Sequence, residues 1–365
     1  MVFRGLRQRL MKIFHCGHCD QLLSFENIRC LRCGHPLAYL PVRETLSSLE
    51  PDEQGGWRSP VVDGNQPSYR LCANYDRENV CNWGVPAEDP NPLCQSCRLT
   101  RLIPDLTQDG AKEAWYRLEV AKRRLVYSLL TLRLPLASKA DDPEHGLAFE
   151  FLADSPNRDT PVMTGHAKGV ITVNVAEADD AKRETIRTQL HEPYRTLLGH
   201  FRHESGHYYW DRLIRGSRHL ARFRRLFGDE QADYGHALND HYRSGAPADW
   251  QDRFICTYAS SHPWEDWAET WAHYLHMTDT LETAEAWGLA LQPSHPEVPE
   301  LKPTVANPDE FETMISRWFP VTFVLNNLNR GLGLPDGYPF VLSAAVIDKL
   351  RFVHNVVVAS ANPAK

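Results

Sequence analysis

Five residues in the middle of the chain have the types and spacing to hold a metal ion and move a proton: His203, Glu204, Ser205, Gly206 and His207. On a helix, residues four apart differ by about 40° around the axis, so His203 and His207 share a face and can grip one ion from a single rigid element. Glu204 lies one step round, where its carboxylate can reach a water bound to that ion. His-Glu-x-x-His is the zinc-metalloprotease signature, with the glutamate as general base. The bland alternative is a helix with two surface histidines, because a short pattern can arise by chance in a chain with 17 histidines. The two readings differ in a way the sequence can test. A catalytic zinc needs a third protein ligand, beside an open position for water.

Residues 258–276 meet that requirement. Pro263 suits a helix start, and Glu265 and Asp266 suit its first turn. Glu265 and Glu269 lie four apart and share a face. Glu265 is assigned as the third ligand. Glu269 would accept the free N–H of a ligating histidine and fix its tautomer. The two glutamates could exchange these roles. Trp264, Trp267 and Trp271, with Ala268 and Ala272, read as core packing. His262, His273 and His276 read as core or surface residues, and Cys256 as a small buried hydrophobe.

Eight of the nine cysteines fall in the first hundred residues. Cys16, Cys19, Cys30 and Cys33 form two Cys-x-x-Cys pairs, the pattern of a zinc ribbon, and Gly34 permits a tight knuckle. A redox dithiol is the alternative, but no βαβ pattern follows. So small a module has too little core to fold alone, so the metal supplies folding energy. Cys72, Cys81, Cys94 and Cys97 read as a second structural zinc site, with Trp83 to Pro86 packing over it. Its alternative is a pair of buried free cysteines and one weak site. The expectation is three zinc ions, one catalytic and two structural.

The elements that must position these groups follow from the rest of the chain. At 365 residues, 42% hydrophobic and 24% charged, it has the composition of an ordinary globular protein of more than one domain. The expected class is α+β: zinc-ribbon modules followed by a mostly helical domain with a small sheet. The expected boundaries are 1–45 for the ribbon, 46–104 for the second module and 105–365 for the helical domain. Residues 43–71 read as loop or short strands. An amphipathic helix spans 111–134, with Lys122, Arg123 and Arg124 on a solvated face. Strands are expected at 147–153 and 169–174, and the motif helix at 192–215. Two charged helical segments broken at Gly228 fill 218–242. Three further helices fall at 283–291, 309–328 and 343–359, with a Pro-rich loop at 293–303.

A net charge of −7 argues against a general nucleic-acid binder. No apolar run is long enough to span a membrane. Residues 1–11 are basic but have no apolar core behind them, so they do not read as a signal peptide. Met11 stands just before the first cysteine motif, so residues 1–10 read as an extension or a misassigned start. Cys-x-x-Cys pairs without an export signal favour metal over disulfides and a reducing cytoplasm.

The helix pair is similar to that of the gluzincin metallopeptidases, and Glu265-Asp266-Trp267-Ala268-Glu269 resembles the second zinc helix of anthrax lethal factor. There a tyrosine precedes the helix. Tyr258, seven residues before Glu265, stands in that place. The likeness implies that Tyr258 donates a hydrogen bond to the developing oxyanion; a buried structural tyrosine is the alternative. Over its whole length the chain resembles a family of bacterial zinc-binding metallopeptidases that join an N-terminal zinc ribbon to a His-Glu-x-x-His domain. Residues 192–204 and 262–274 carry that likeness. It implies a zincin-like fold in which a sheet edge borders the cleft and can pair with an extended peptide. It also implies hydrolysis of a peptide bond by a zinc-activated water, with Glu204 as general base and a peptide or protein as substrate. The rival readings are a non-catalytic zinc-dependent scaffold that binds a protein partner through its zinc modules, and a zinc amidase on a non-protein substrate. An intact Glu204 favours catalysis over the scaffold.

Overall fold

The computed structural model describes residues 13–60, 67–154, 161–190, 196–295, 297, 300–302 and 310–361, with backbone alone at 186–190. The readings made for residues 1–10, for 192–195 and for part of the loop at 293–303 lie outside the described residues. The strands, in chain order, are β1 (Phe14–His15), β2 (Leu22–Leu23), β3 (Leu37–Leu40), β4 (Thr45–Ser48), β5 (Glu50–Pro51), β6 (Trp57–Arg58), β7 (Tyr69–Leu71), β8 (Gly84–Pro86), β9 (Thr100–Leu102), β10 (Ala148–Leu152), β11 (Gly165–Ala167) and β12 (Val170–Asn174). The helices are α1 (Ala73–Asp76), α2 (Ala111–Thr131), α3 (Asp180–Leu190), α4 (Leu197–Leu213), α5 (Leu220–Phe227), α6 (Tyr234–Ser244), α7 (Trp250–Arg253), α8 (Pro263–Ala286), α9 (Phe311–Gly331) and α10 (Ala344–Ala361). The chain is thus α+β, with small sheets in a cysteine-rich region followed by a largely helical part. It divides into two compact units. One comprises Met1–Val126, Ser138–Thr164 and Val170–Asp180; the other comprises Tyr127–Ala137, Gly165–Gly169 and Ala181–Lys365.

In the first unit, short antiparallel pairs β1–β2 and β3–β4 precede the antiparallel sheet β5-β6-β7-β8. Tyr39 and Trp83 pack with ring centroids 4.8 Å apart at the centre of this region, and both are buried. Strand β10 lies between β12 and β9 and is parallel to both. A strand covered on both faces reads as a near-continuous apolar run, and Ala148, Phe149 and Phe151 are all buried. Helix α2 buries Trp115, Leu118, Ala121 and Leu125 as its periodicity predicts.

The basic run on α2 is not the solvated face expected from sequence. Lys122 is fully buried, and its ammonium pairs with Glu119 at 2.9 Å and donates to Thr100. Arg123 is also buried and donates to the carbonyl of Val80. Of the three, only Arg124 is exposed. A buried charge persists when it is paired and hydrogen-bonded. The partners of Lys122 and Arg123 include groups outside α2 that helix periodicity does not show.

In the second unit α4 packs along α8. Thr196 caps α4 by accepting the N–H of Gly199 at 2.9 Å. His262 caps α8 by accepting the N–H of Trp264 at 3.1 Å, with Pro263 opening the helix. Gly206 lets the two backbones meet. A Cβ there would stand 2.9 Å from Ala268 Cα, closer than side chains tolerate. Trp267 donates to Gly206 O at 2.8 Å and Trp271 to Ser205 Oγ at 3.1 Å, so the apolar seam is also hydrogen-bonded. Helix α8 is buried nearly all round, as befits a central helix. It runs unbroken to Ala286, so 283–291 is not a separate helix. No breaker intervenes before Gly288, whose φ of 61° ends it. Lys349 of α10 pairs with Asp266 of α8 at 2.6 Å, both buried.

Candidate metal centre

Helices α4 and α8 bring His203, His207 and Glu265 together. One donor atom from each lies within 4.8 Å of the others. Nε2 of His203 is 3.0 Å from Glu265 Oε2, and Nε2 of His207 is 3.5 Å from Glu265 Oε1. Glu265 is 1% exposed, a site where a carboxylate needs a compensating cation. Nδ1 of His203 lies 2.6 Å from Glu269 Oε1. That bond fixes the ring and leaves Nε2 facing Glu265, the arrangement a ligating histidine adopts. Glu204 is buried at 8% exposure, and its Oε2 has no hydrogen-bond partner among the described residues.

The electrostatics favour positive charge at this point. Burial lowers the His203 imidazole, but Glu265 and Glu269 outweigh it and raise it well above its ordinary value. Burial raises the Glu265 carboxyl, yet the two histidines hold it well below the usual range. Two imidazoles and a buried carboxylate facing one point suit a zinc ion, and the orphaned oxygen of Glu204 suits a water beside it.

Further side chains stand near the centre. Tyr234, at the start of α6, donates to Glu265 Oε1 at 2.8 Å. Sequence reasoning missed this tyrosine, because it lies on a separate helix and in no motif. Asp233 fixes the turn before it, accepting the N–H of His236 at 2.8 Å. Tyr258 has its ring centroid 6.0 Å from that of His203 and 6.1 Å from that of His241. Burial, then Glu265, raises the phenol of both tyrosines, so both stay protonated. His166, on β11, stands 6.4 Å from the His207 ring and accepts the N–H of Gly169 at 3.0 Å. Cys256 is buried, but it is more than a small hydrophobe: its thiol donates to Glu269 Oε2 at 3.2 Å. His273 and His276 lie farther along α8, and His262 is occupied as its cap.

The cysteines gather in two sets of four. Cys16, Cys19, Cys30 and Cys33 converge within 4.8 Å, and so do Cys72, Cys81, Cys94 and Cys97. All are free thiols. Sγ atoms stand 3.5 Å apart for Cys16 and Cys33, and 3.7 Å apart for Cys81 and Cys94. Backbone N–H groups point at the sulfurs in the second set, from Trp83 to Cys81, Cys94 to Cys72 and Cys97 to Cys94. Sets of four converging sulfurs suit structural zinc, and the N–H groups of the second set favour its thiolate form. Among the described residues, no helix is long and apolar enough to cross a membrane.

Comparison with known proteins agrees with this chemistry. A family model described as "Putative zinc-binding metallo-peptidase" matches residues 111–356, and a zinc-ribbon domain model matches residues 13–108. Uncharacterized proteins of Mycobacterium bovis and of two strains of Mycobacterium tuberculosis are 46% identical over 348 residues, spanning 95% of this chain and 95% of each relative. No solved structure is significantly similar. The chain belongs to this zinc-binding metallo-peptidase family and carries a zinc-ribbon region ahead of the family's domain.

Proposed function

We propose that the protein is a zinc-dependent peptidase whose catalytic ion is held by His203, His207 and Glu265. The observation that carries this reading is the convergence of those donors beside the unpartnered, buried Oε2 of Glu204. Bound there, zinc would supply Lewis acidity, lowering the pKa of a water toward about 7 and polarising a scissile carbonyl. Glu204 takes the proton from the attacking water and delivers it to the departing amine. Glu269 holds His203 in the required tautomer, and Tyr234 holds the Glu265 carboxylate. Tyr258 donates to the oxyanion as it forms. The two cysteine sets would hold two further zinc ions, in modules that span 1–45 and 46–104, and the catalytic domain spans 105–365. Cysteines gathered in metal-binding sets suit a reducing cytoplasm.

The test compares zinc-loaded wild type with Glu204→Gln on a proteome-derived peptide library, reading new N-termini by mass spectrometry. Wild type generates new termini, and the variant's rate falls by about 10²–10⁴-fold. Equal cleavage by the two proteins would overturn the general-base role. An intact library beside cleaved non-peptide amides would favour an amidase.

A further inference from the structure

Two histidines that the cysteine sets leave unused lie together beside the first of them. The knuckles that begin at Cys16 and Cys30 repeat each other. The N–H of Asp20 donates to Cys16 O at 2.8 Å, and that of Gly34 to Cys30 O at 2.9 Å. The N–H of Cys16 reaches Gln21 O and that of Cys30 reaches His35 O, both at 2.9 Å. Asp20 even adopts a φ of 58° where Gly34 adopts 78°. With the knuckles facing each other, His18 of the first stacks on His35 at the end of the second, ring centroids 4.0 Å apart. The N–H of Leu49 donates to Pro36 O at 2.9 Å, which brings the neighbouring Glu50 close to His35.

A ring nitrogen from each histidine and a carboxylate oxygen of Glu50 lie within 4.8 Å of one another. Nδ1 of His35 is buried with no hydrogen-bond partner among the described residues. Ring stacking alone explains neither the carboxylate nor the orphaned nitrogen. Glu50 Oε2 accepts from Arg58 at 3.2 Å, but Arg58 is 57% exposed. An exposed pair of this kind contributes little and yields to a divalent ion.

We propose that His18, His35 and Glu50 form a further metal site, distinct in its ligands from both cysteine sets and from the His203–His207–Glu265 centre. Two imidazoles and one carboxylate select a borderline divalent cation such as zinc. Three protein donors leave a coordination position open, and His18 is exposed, so the ion exchanges with solvent. The site stands whether or not the protein is a peptidase.

Full-length protein is dialysed to equilibrium against micromolar zinc, and bound zinc is counted before and after release by a mercurial thiol reagent. The variant His18→Phe/His35→Phe keeps two stackable rings but removes their nitrogen donors. Wild type retains one more zinc per chain than this variant, with equal thiol-released zinc in both. Glu50→Gln alters neither knuckle and weakens this zinc by about tenfold or more. Equal zinc in wild type and the double variant would overturn the proposal. If the double variant loses thiol-bound zinc, Glu50→Gln decides alone, and wild-type affinity there would overturn the site.

Discussion

Tyr234 and Tyr258 approach the same centre from different elements, and their hydroxyls have separable tasks. Tyr234 donates to the buried Glu265 at 2.8 Å, so its loss loosens a ligand. Tyr234→Phe should lower zinc affinity by about 10–100-fold, measured by competition with a chromogenic chelator. Tyr258 lies against the His203 ring, and among the described residues it makes no hydrogen bond to Glu265 that would tie it to the metal's hold. Tyr258→Phe should leave zinc affinity unchanged while kcat falls by about 10²–10³-fold. A Tyr258 variant that sheds zinc, with Tyr234→Phe holding it like wild type, would reverse these roles. Glu265 and Glu269 could be singled out from sequence because both sit at helical spacing within one segment. Tyr234 could not, because its hydrogen bond spans 31 residues and two helices.

At the scale of elements, the distance between α4 and α8 sets the geometry of the centre. Gly206 fixes it, since an added Cβ would meet the Ala268 backbone at 2.9 Å. Gly206→Ala should cost about 1–3 kcal/mol of stability by overpacking and spread the donors. Thermal unfolding and zinc content of the variant check this; a stable, fully loaded protein would mean the helices accommodate a methyl group freely. Helix α8 was legible because it carries a start signal and i, i+4 chemistry; α4 was legible from its i, i+4 chemistry alone, and its start, expected at 192, is set at Leu197 by the extended cap Thr196. The length of α8 was not legible, since nothing local marked 283 as interior to it. The burial of Lys122 and Arg123 was equally hidden. Three consecutive basic residues read as a solvated face until Glu119, Thr100 and the Val80 carbonyl are placed around them. Strand β9, at the end of the cysteine-rich region, pairs in parallel with β10, some fifty residues on, a non-local contact that composition does not reveal.

At the scale of the molecule, acid should weaken the fold through the core as well as through its metals. His273 is fully buried, and burial lowers its imidazole from 6.5 to about 4 against the pull of Glu269. It is therefore neutral when folded and protonates more readily when unfolded. The stability it contributes is complete above about pH 6.5 and is lost as pH falls toward about 4. Between pH 7 and pH 5 the loss from this residue is about 2 kcal/mol. Denaturant unfolding at the two pH values, compared with His273→Gln, checks it; an identical loss in the variant would remove His273 as the cause.

The central claim is that α4 and α8 hold a zinc ion of their own, beyond those of the cysteine sets. Native mass spectrometry of wild type, Glu265→Gln and Glu204→Gln, dialysed without free zinc, tests it most directly. That dialysis empties the solvent-exchanging His18–His35–Glu50 site, so the account predicts three zinc ions per chain in wild type and in Glu204→Gln, and two in Glu265→Gln. Undiminished zinc in Glu265→Gln, or only two ions in wild type, would contradict it.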